Sequence, residues 1–282
     1  EKGRFPGHFT AGFEASDALP RLVSIKAGTK VNVVPGKAKA AVEGFEMASL
    51  EKAAAETKEE TGISFELAAE GTVTEITATG IGAHASTPDV GNNALTGLLV
   101  FLGKLDFASC PQVDMVRKTA SLFPHGDVNG KTLGVAMEDE LSGNLTLSFN
   151  MLSVDAASMD GEFDGRIPVC GNDENVLEVV RARMAEQGLT LLNKALIPPH
   201  HVSADSYFVK TLLAAFELYT GRKGECQALG GGTYVHHLEN GVAFGAAMPE
   251  TDNKMHGPDE FAVVDELLVS AKIFAQAIVD LC

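Results

Sequence analysis

His84 stands in IGAHASTPDVGNNA, residues 81–94, a run of small residues followed by Pro88, Gly91 and two asparagines. Imidazole is the side chain best suited to exchange a proton near neutrality. No cysteine, acid or second histidine lies near enough in sequence to share a metal with it, so residue by residue His84 reads as structural. His256, in MHGPDE, has a stronger local case. It sits on a loop expected between a strand and a helix, where α/β folds concentrate active residues. Asp259 and Glu260 open the next helix, where they also suit its dipole, so a functional histidine and a plain helix cap fit the pattern equally. GGGTY, residues 230–234, fails the GxxxxGK[ST] pattern of a phosphate loop. Its glycines allow backbone N–H groups to approach an anionic group such as a carboxylate; a tight turn is the competing reading. Arg166 closes a strand in EFDGRIPVCGNDE, either as one half of a surface ion pair or as a two-pronged carboxylate clamp. Asn32, in KVNVVPG, offers amide hydrogen bonds or simply ends a strand. The remaining histidines, His8, His125, His200, His201, His236 and His237, read singly as surface or structural residues. There is no GxSxG elbow and no Ser-His-Asp order, which argues against a serine hydrolase.

The elements that must position these residues follow from periodicity. Alternation predicts strands over 9–14, 19–34, 37–45, 64–71 and 72–82, the last running straight into the His84 turn. A helix over 47–62 places Met47, Leu50 and Ala54 on one face and stops at Gly62. An asparagine caps the apolar helix that follows the His84 turn. A similar order recurs: a helix over 114–123, strands over 133–139, 143–154 and 158–169, a helix with Val176, Val180 and Met184 in line, and a strand over 189–197 that stops at Pro198-Pro199. Two successive α+β units of this kind imply a structural duplication and an open sheet with helices on one face. Beyond the prolines come a helix carrying Leu212, Leu213, Phe216 and Tyr219, strands over 225–229 and 242–249, and a last helix over 264–281 with Leu267, Ala271, Phe274 and Ile278 as its buried stripe.

Composition narrows the function classes. With 22 basic against 38 acidic residues the net charge is −16, and no basic stripe exists to bind nucleic acid. No apolar run reaches the ~18–20 residues that span a bilayer, and no secretory signal opens the chain. The four cysteines are scattered without a CxxC pair, which suits reduced thiols in the cytoplasm better than a disulfide framework or a zinc knuckle.

Taken together and in order, GAHASTPDVGNNA, GRIP, GGGTYVHHLENGVAFG and MHGPDEFAVVDELLVSAKIFAQAI resemble the zinc metallopeptidases of the aminoacylase/carboxypeptidase/dipeptidase family, most of all its PepV-type bacterial dipeptidase branch. The resemblance spans the whole chain. It implies a mixed α/β and α+β architecture: residues 1–198 as a lid of two similar ferredoxin-like halves, about 1–110 and 111–198, and residues 199–282 as the C-terminal part of a zinc catalytic domain. It implies that His84 stabilises the oxyanion of the tetrahedral intermediate, that Asn32 and Arg166 bind substrate with Arg166 on the terminal carboxylate, that Gly231, Gly232 and Thr233 help hold it, and that His256 is a metal ligand. The family's HxD pair, bridging aspartate and adjacent glutamates would lie upstream of Glu1, so the chain reads as a segment of a longer enzyme and is expected to be inactive alone. The implied enzyme is a monomeric, cytoplasmic dipeptidase with two zinc ions, replaceable by manganese or cobalt, with no nucleic-acid or membrane partner. The alternatives are an amidohydrolase of N-acyl amino acids, which needs the same carboxylate clamp, and a non-catalytic module binding a small ligand.

Overall fold

Phe5 and Phe9 turn inward along the strand Gly3–Gly12 (β1), as the period of two of an extended chain dictates. The chain continues through β2 (Arg21–Ala27), β3 (Val33–Val34), β4 (Lys37–Glu43), α1 (Met47–Thr61), β5 (Ser64–Glu70), β6 (Val73–Thr79), β7 (Ala83–His84), α2 (Ala94–Gly103), α3 (Pro111–Leu122), β8 (Glu138–Asp139), β9 (Gly143–Asn144), β10 (Thr146–Val154), β11 (Ser158–Ile167), α4 (Glu178–Glu186), β12 (Thr190–Leu191), α5 (Tyr207–Thr220) and α6 (Val264–Leu281). The computed structural model describes residues 1–245, 248, 250–254 and 259–282. They fall into two units, Lys2–Pro199 and Glu1 with His200–Cys282. Among the described residues no helix is long and apolar enough to cross a membrane.

In the larger unit eight strands form one antiparallel sheet in the order β12-β1-β11-β10-β2-β4-β6-β5. The two expected halves therefore share a sheet, joined where Leu152, Ser153 and Val154 of β10 pair with Ala27, Lys26 and Ile25 of β2. The division expected near residue 110 needs one correction. β1 belongs with the second half, between β11 and β12, because its whole length pairs with β11. Sequence order misplaces it, since a strand's partner is set by side-chain fit rather than proximity in the chain. That fit is visible in the register: Gly7 faces Phe163 and Phe9 faces Gly161. A Cβ on either glycine would lie within 2.4 Å of the opposing ring. The buried residues of α1, α2, α3 and α4 join those of the sheet in one apolar cluster, with Val176, Val180 and Met184 fully buried as expected.

Three expected strands shrink or break. The strand over 19–34 is interrupted after Ala27, where Gly28 takes positive φ, leaving β2 and β3. In 133–139 only Glu138–Asp139 is extended, because Gly130 and Gly134 take positive φ and close a turn between Gly134 N–H and the Lys131 carbonyl. In 189–197 only Thr190–Leu191 forms a strand against β1, and Ile197 rejoins β1 by a single bridge to Arg4. Between them the Asn193 side chain takes over, accepting from His8 N–H and donating to the Pro6 carbonyl, both at 2.8 Å. α1 also turns slightly from its expected face, burying Leu50, Ala53 and Thr57.

In the smaller unit α5 starts on the Ser206 cap and ends at left-handed Gly221. Leu212 and Ala215 of α5 pack with Ile273 and Ala277 of α6. The expected stripe of α6 is wrong: Leu267, Phe274 and Ile278 are 47%, 40% and 62% exposed, and Ala271 is exposed. The helix is apolar over a wide arc, and within this unit α5 covers only the seam of Ser270, Ile273 and Ala277. Residues 225–229 and 242–245 are not strands. Residues 246, 247 and 249 of the second expected strand lie outside the described residues.

Candidate functional site

The His84 turn is a closed loop with a fixed base. Ile81 and Asn92 exchange both backbone hydrogen bonds, at 2.9 and 2.8 Å. The two asparagines then tie the loop to three elements. Asn92 donates through Nδ2 to the Thr61 carbonyl at the end of α1. Asn93 accepts the Leu95 and Thr96 N–H groups as the cap of α2, and donates through Nδ2 to the Phe149 carbonyl of β10 at 2.7 Å. Pro88 opens a short 3₁₀ turn, Pro88–Val90, inside the loop.

Asn32 and His84 come together on this base. Val33 of β3 pairs with His84 of β7, and Ala85 N–H donates to the Asn32 carbonyl at 3.0 Å. His84 is exposed. Its Nδ1 receives the Ser86 backbone N–H at 3.1 Å and meets Ser86 Oγ at 2.6 Å. A backbone N–H can only donate, so Nδ1 is an acceptor and the neutral ring carries its proton on Nε2. The local sequence His-Ala-Ser thus sets the tautomer. A cavity of about 330 Å³ opens beside the loop, bounded by Pro88, Asn93, Thr96, Phe123, His125 and Phe149. In it His125 Nδ1 meets Thr96 Oγ1 at 2.8 Å, and burial pushes the His125 ring below its ordinary pKa.

Arg166 lies on β11, 3% exposed, against the fully buried Asp164. Its Nε donates to Oδ1 at 2.6 Å and its Nη2 to Oδ2 at 3.3 Å, and Arg4 Nη2 reaches the same Oδ2 at 3.4 Å. The partner acid is buried and internal, so the surface ion pair of one sequence reading is not what this fork forms. The strand explains it: alternate residues share a face, so Asp-Gly-Arg puts the acid beside the guanidinium. β10 supports Asn32, His84 and Arg166 alike. It pairs with β11 at Arg166, holds the His84 loop through Asn93, and holds the Asn32 turn through Asn150, whose Nδ2 donates to the Val31 carbonyl at 2.5 Å.

In the smaller unit a side chain at Gly231 or Gly232 would meet nothing within 4 Å, so packing does not demand glycine at either position. Next to them a carboxylate is received, that of Glu1. Thr233 donates to it from its backbone N–H, at 3.2 Å, and from its hydroxyl, and His236 Nδ1 lies 2.9 Å from Oε2. Burial raises the Glu1 carboxyl, but the bonds from Thr233 and His236 outweigh it and hold it below the ordinary value. His256 lies outside the described residues. Among the described residues no three His, Cys, Asp or Glu side chains gather as a metal centre. Sequence reasoning missed Asp164, Arg4 and Glu1. The i−2 spacing could have shown Asp164; nothing local points to Glu1, 232 residues from Thr233.

No family model matches the chain. It is 35% identical over 291 residues to the putative dipeptidase YtjP of Bacillus subtilis, covering 100% of this chain and 60% of that protein. It is 32% identical over 286 residues to the Beta-Ala-Xaa dipeptidase of Lactobacillus delbrueckii subsp. lactis, covering 100% of this chain and 59% of that protein. The chain thus spans about three-fifths of the length of these relatives. Among solved structures, aminoacylhistidine dipeptidase from Vibrio alginolyticus aligns over 99% of this chain and 61% of its own, with TM-score 0.48 and 12% identity.

Proposed function

From a chain related along its whole length to bacterial dipeptidases, we infer the lid and C-terminal segment of a metal-dependent dipeptidase that hydrolyses the peptide bond of its substrate. The observation that carries this reading is the tautomer of His84. A ring that accepts at Nδ1 presents an N–H at Nε2, which is what a carbonyl oxygen needs as it becomes an oxyanion. The hydrogen-bonded base of the loop keeps that donor placed before substrate arrives, so little reorganisation is needed in the transition state. Asn32, in the turn just before the adjoining strand β3, supplies an amide, and Arg166 a guanidinium of fixed plane for a free carboxylate. The Gly231-Gly232-Thr233 loop contributes backbone and hydroxyl donors to the same class of group.

The metal belongs to this reading as zinc, two ions, with manganese or cobalt as substitutes and His256 as one ligand. The described residues do not assemble a centre for it, so no step above passes through a metal. The four unpaired cysteines support a reducing, cytoplasmic setting, and the fusion of two four-stranded halves within one chain supports a monomer.

The test is an assay of the full gene product on a panel of dipeptides and N-acyl amino acids, with and without chelator. Metal-dependent turnover of free dipeptides is expected, while the 282-residue chain alone turns over nothing. A full gene product that cleaves only N-acyl amino acids, or nothing, overturns the reading.

A further inference from the structure

β10 holds the His84 loop by two struts, and one of them comes from outside the loop. Asn93 reaches the Phe149 carbonyl directly. Two residues earlier on the same strand, Leu147 N–H donates to the Val128 carbonyl at 2.8 Å. Val128 follows the turn Pro124-His125-Gly126-Asp127, which is closed by Asp127 N–H on the Pro124 carbonyl at 3.2 Å. Gly126 has a φ of 84°, as the third position of a type II turn demands. The Asp127 carboxylate accepts the N–H groups of Asn129, Lys131 and Thr132, which fixes the turn from its other end. His125 is therefore presented on a rigid base.

Its ring meets what anchors the loop. Nδ1 lies 2.8 Å from Thr96 Oγ1, and that hydroxyl lies 3.2 Å from the Asn93 carbonyl. The Thr61 carbonyl, which accepts the Asn92 amide, is also near enough to the ring to favour its charged form. We propose that His125 is a positioning residue for His84, tying both asparagine anchors of the His84 loop to β10 through the turn that carries it. Packing does not supply this tie. Pro88, Asp89, Gly91, Asn92 and Asn93 border the cavity of about 330 Å³, so that side of the loop lacks close neighbours. A segment without dispersion contacts on one side depends on its hydrogen bonds for its place. Burial outweighs the pull of Thr61 and Glu60, so the ring is neutral near pH 7. Its contact with Thr96 is then an ordinary hydrogen bond and not an ion pair. Either Nδ1 accepts from the hydroxyl, or it donates to the hydroxyl while the hydroxyl donates to Asn93. An asparagine amide offers both choices from nearly the position of Nδ1, and a leucine offers neither. That the tie serves turnover rests on the dipeptidase reading.

Hydrogen exchange in the full gene product tests this, read at the Ile81 and Asn92 amides of the loop base and at the paired amides of β4 and β6. His125→Leu should speed exchange at Ile81 and Asn92 about five-fold and leave β4 and β6 unchanged. His125→Asn should bring the loop rates back to within about two-fold of wild type. On a dipeptide, His125→Leu should lower kcat about ten-fold with KM unchanged. Thr96→Val removes the same bond, so the double variant should lose no more than either single one. The proposal is overturned if His125→Leu leaves the loop amides at wild-type rates, if β4 and β6 accelerate equally, or if His125→Asn behaves like His125→Leu. The two readings fail separately. Wild type without dipeptide turnover sinks the dipeptidase reading, and the exchange pattern still decides the tie. Dipeptide turnover untouched by His125→Leu keeps the dipeptidase reading and sinks the positioning role.

Discussion

The two units of this chain use similar helices to different effect. In Lys2–Pro199 the buried residues of the helices join those of the sheet in one apolar cluster, and Val176, just before α4, and Val180 and Met184 within it are completely buried. In the smaller unit α6 is the longer and more apolar helix, yet it buries only the seam against α5 and leaves Leu268, Ile278 and Val279 exposed. Amphipathicity decides that a helix forms. What lies beside it decides which of its faces is a core. The candidate residues divide the same way: in the larger unit Asn32, His84 and Arg166 rest on hydrogen-bonded strands, while in the smaller unit Thr233 rests on the carboxylate of Glu1.

The sharpest way to break this contrast is to excavate the larger core. Phe163→Ala removes a ring packed edge-on to Phe5, tilted against Phe123 and over Gly7, and should cost about 3–5 kcal/mol in urea unfolding of the chain. A loss below about 1 kcal/mol would mean that the sheet core is not the stable half. His84→Ala in the full gene product should lower kcat for a dipeptide about a hundred-fold with little change in KM, a loss of roughly 2.7 kcal/mol in the transition state alone. A change confined to KM would make His84 a binding residue. Asn93→Ala removes both the α2 cap and the tie to Phe149, and should cost about 1–2 kcal/mol while also slowing turnover, because the same residue anchors the His84 loop.

Acid should separate the units. The Glu1 carboxyl is depressed from 4.5, so its contribution is complete above that value and disappears as pH falls through the folded-state pKa. In the larger unit Asp139 is partly desolvated, but N–H bonds from Ser142 and Cys170 bring it from 3.8 down to about 2, so its contribution fades only between those values. Hydrogen exchange on lowering pH should therefore accelerate first at Thr233, and Glu1→Gln should abolish that early phase. Simultaneous loss at both sites would contradict it. The smallest effect expected is at Ile278, where replacement by glutamine should change stability by no more than about 0.5 kcal/mol. A large loss there would reveal a packed face on α6.

Much of this molecule was legible residue by residue. Alternation located β4, β5, β6, β10 and β11 but only the end of β1, and the cap residues Asn93 and Gly62 marked helix ends, because hydrogen bonding and backbone conformation there are settled within a few residues. The His-Ala-Ser order settled the tautomer of His84 for the same reason. Tertiary structure alone decided where β1 pairs, which stripe of α6 is buried, and that Asp164 takes one edge of Arg166 while Glu1 lies on Thr233. Each of these turns on which surface arrives from elsewhere in the chain, and local periodicity carries no information about arrivals. A side chain's intrinsic chemistry is written in its type, but its partner is chosen by the packing that brings distant segments together.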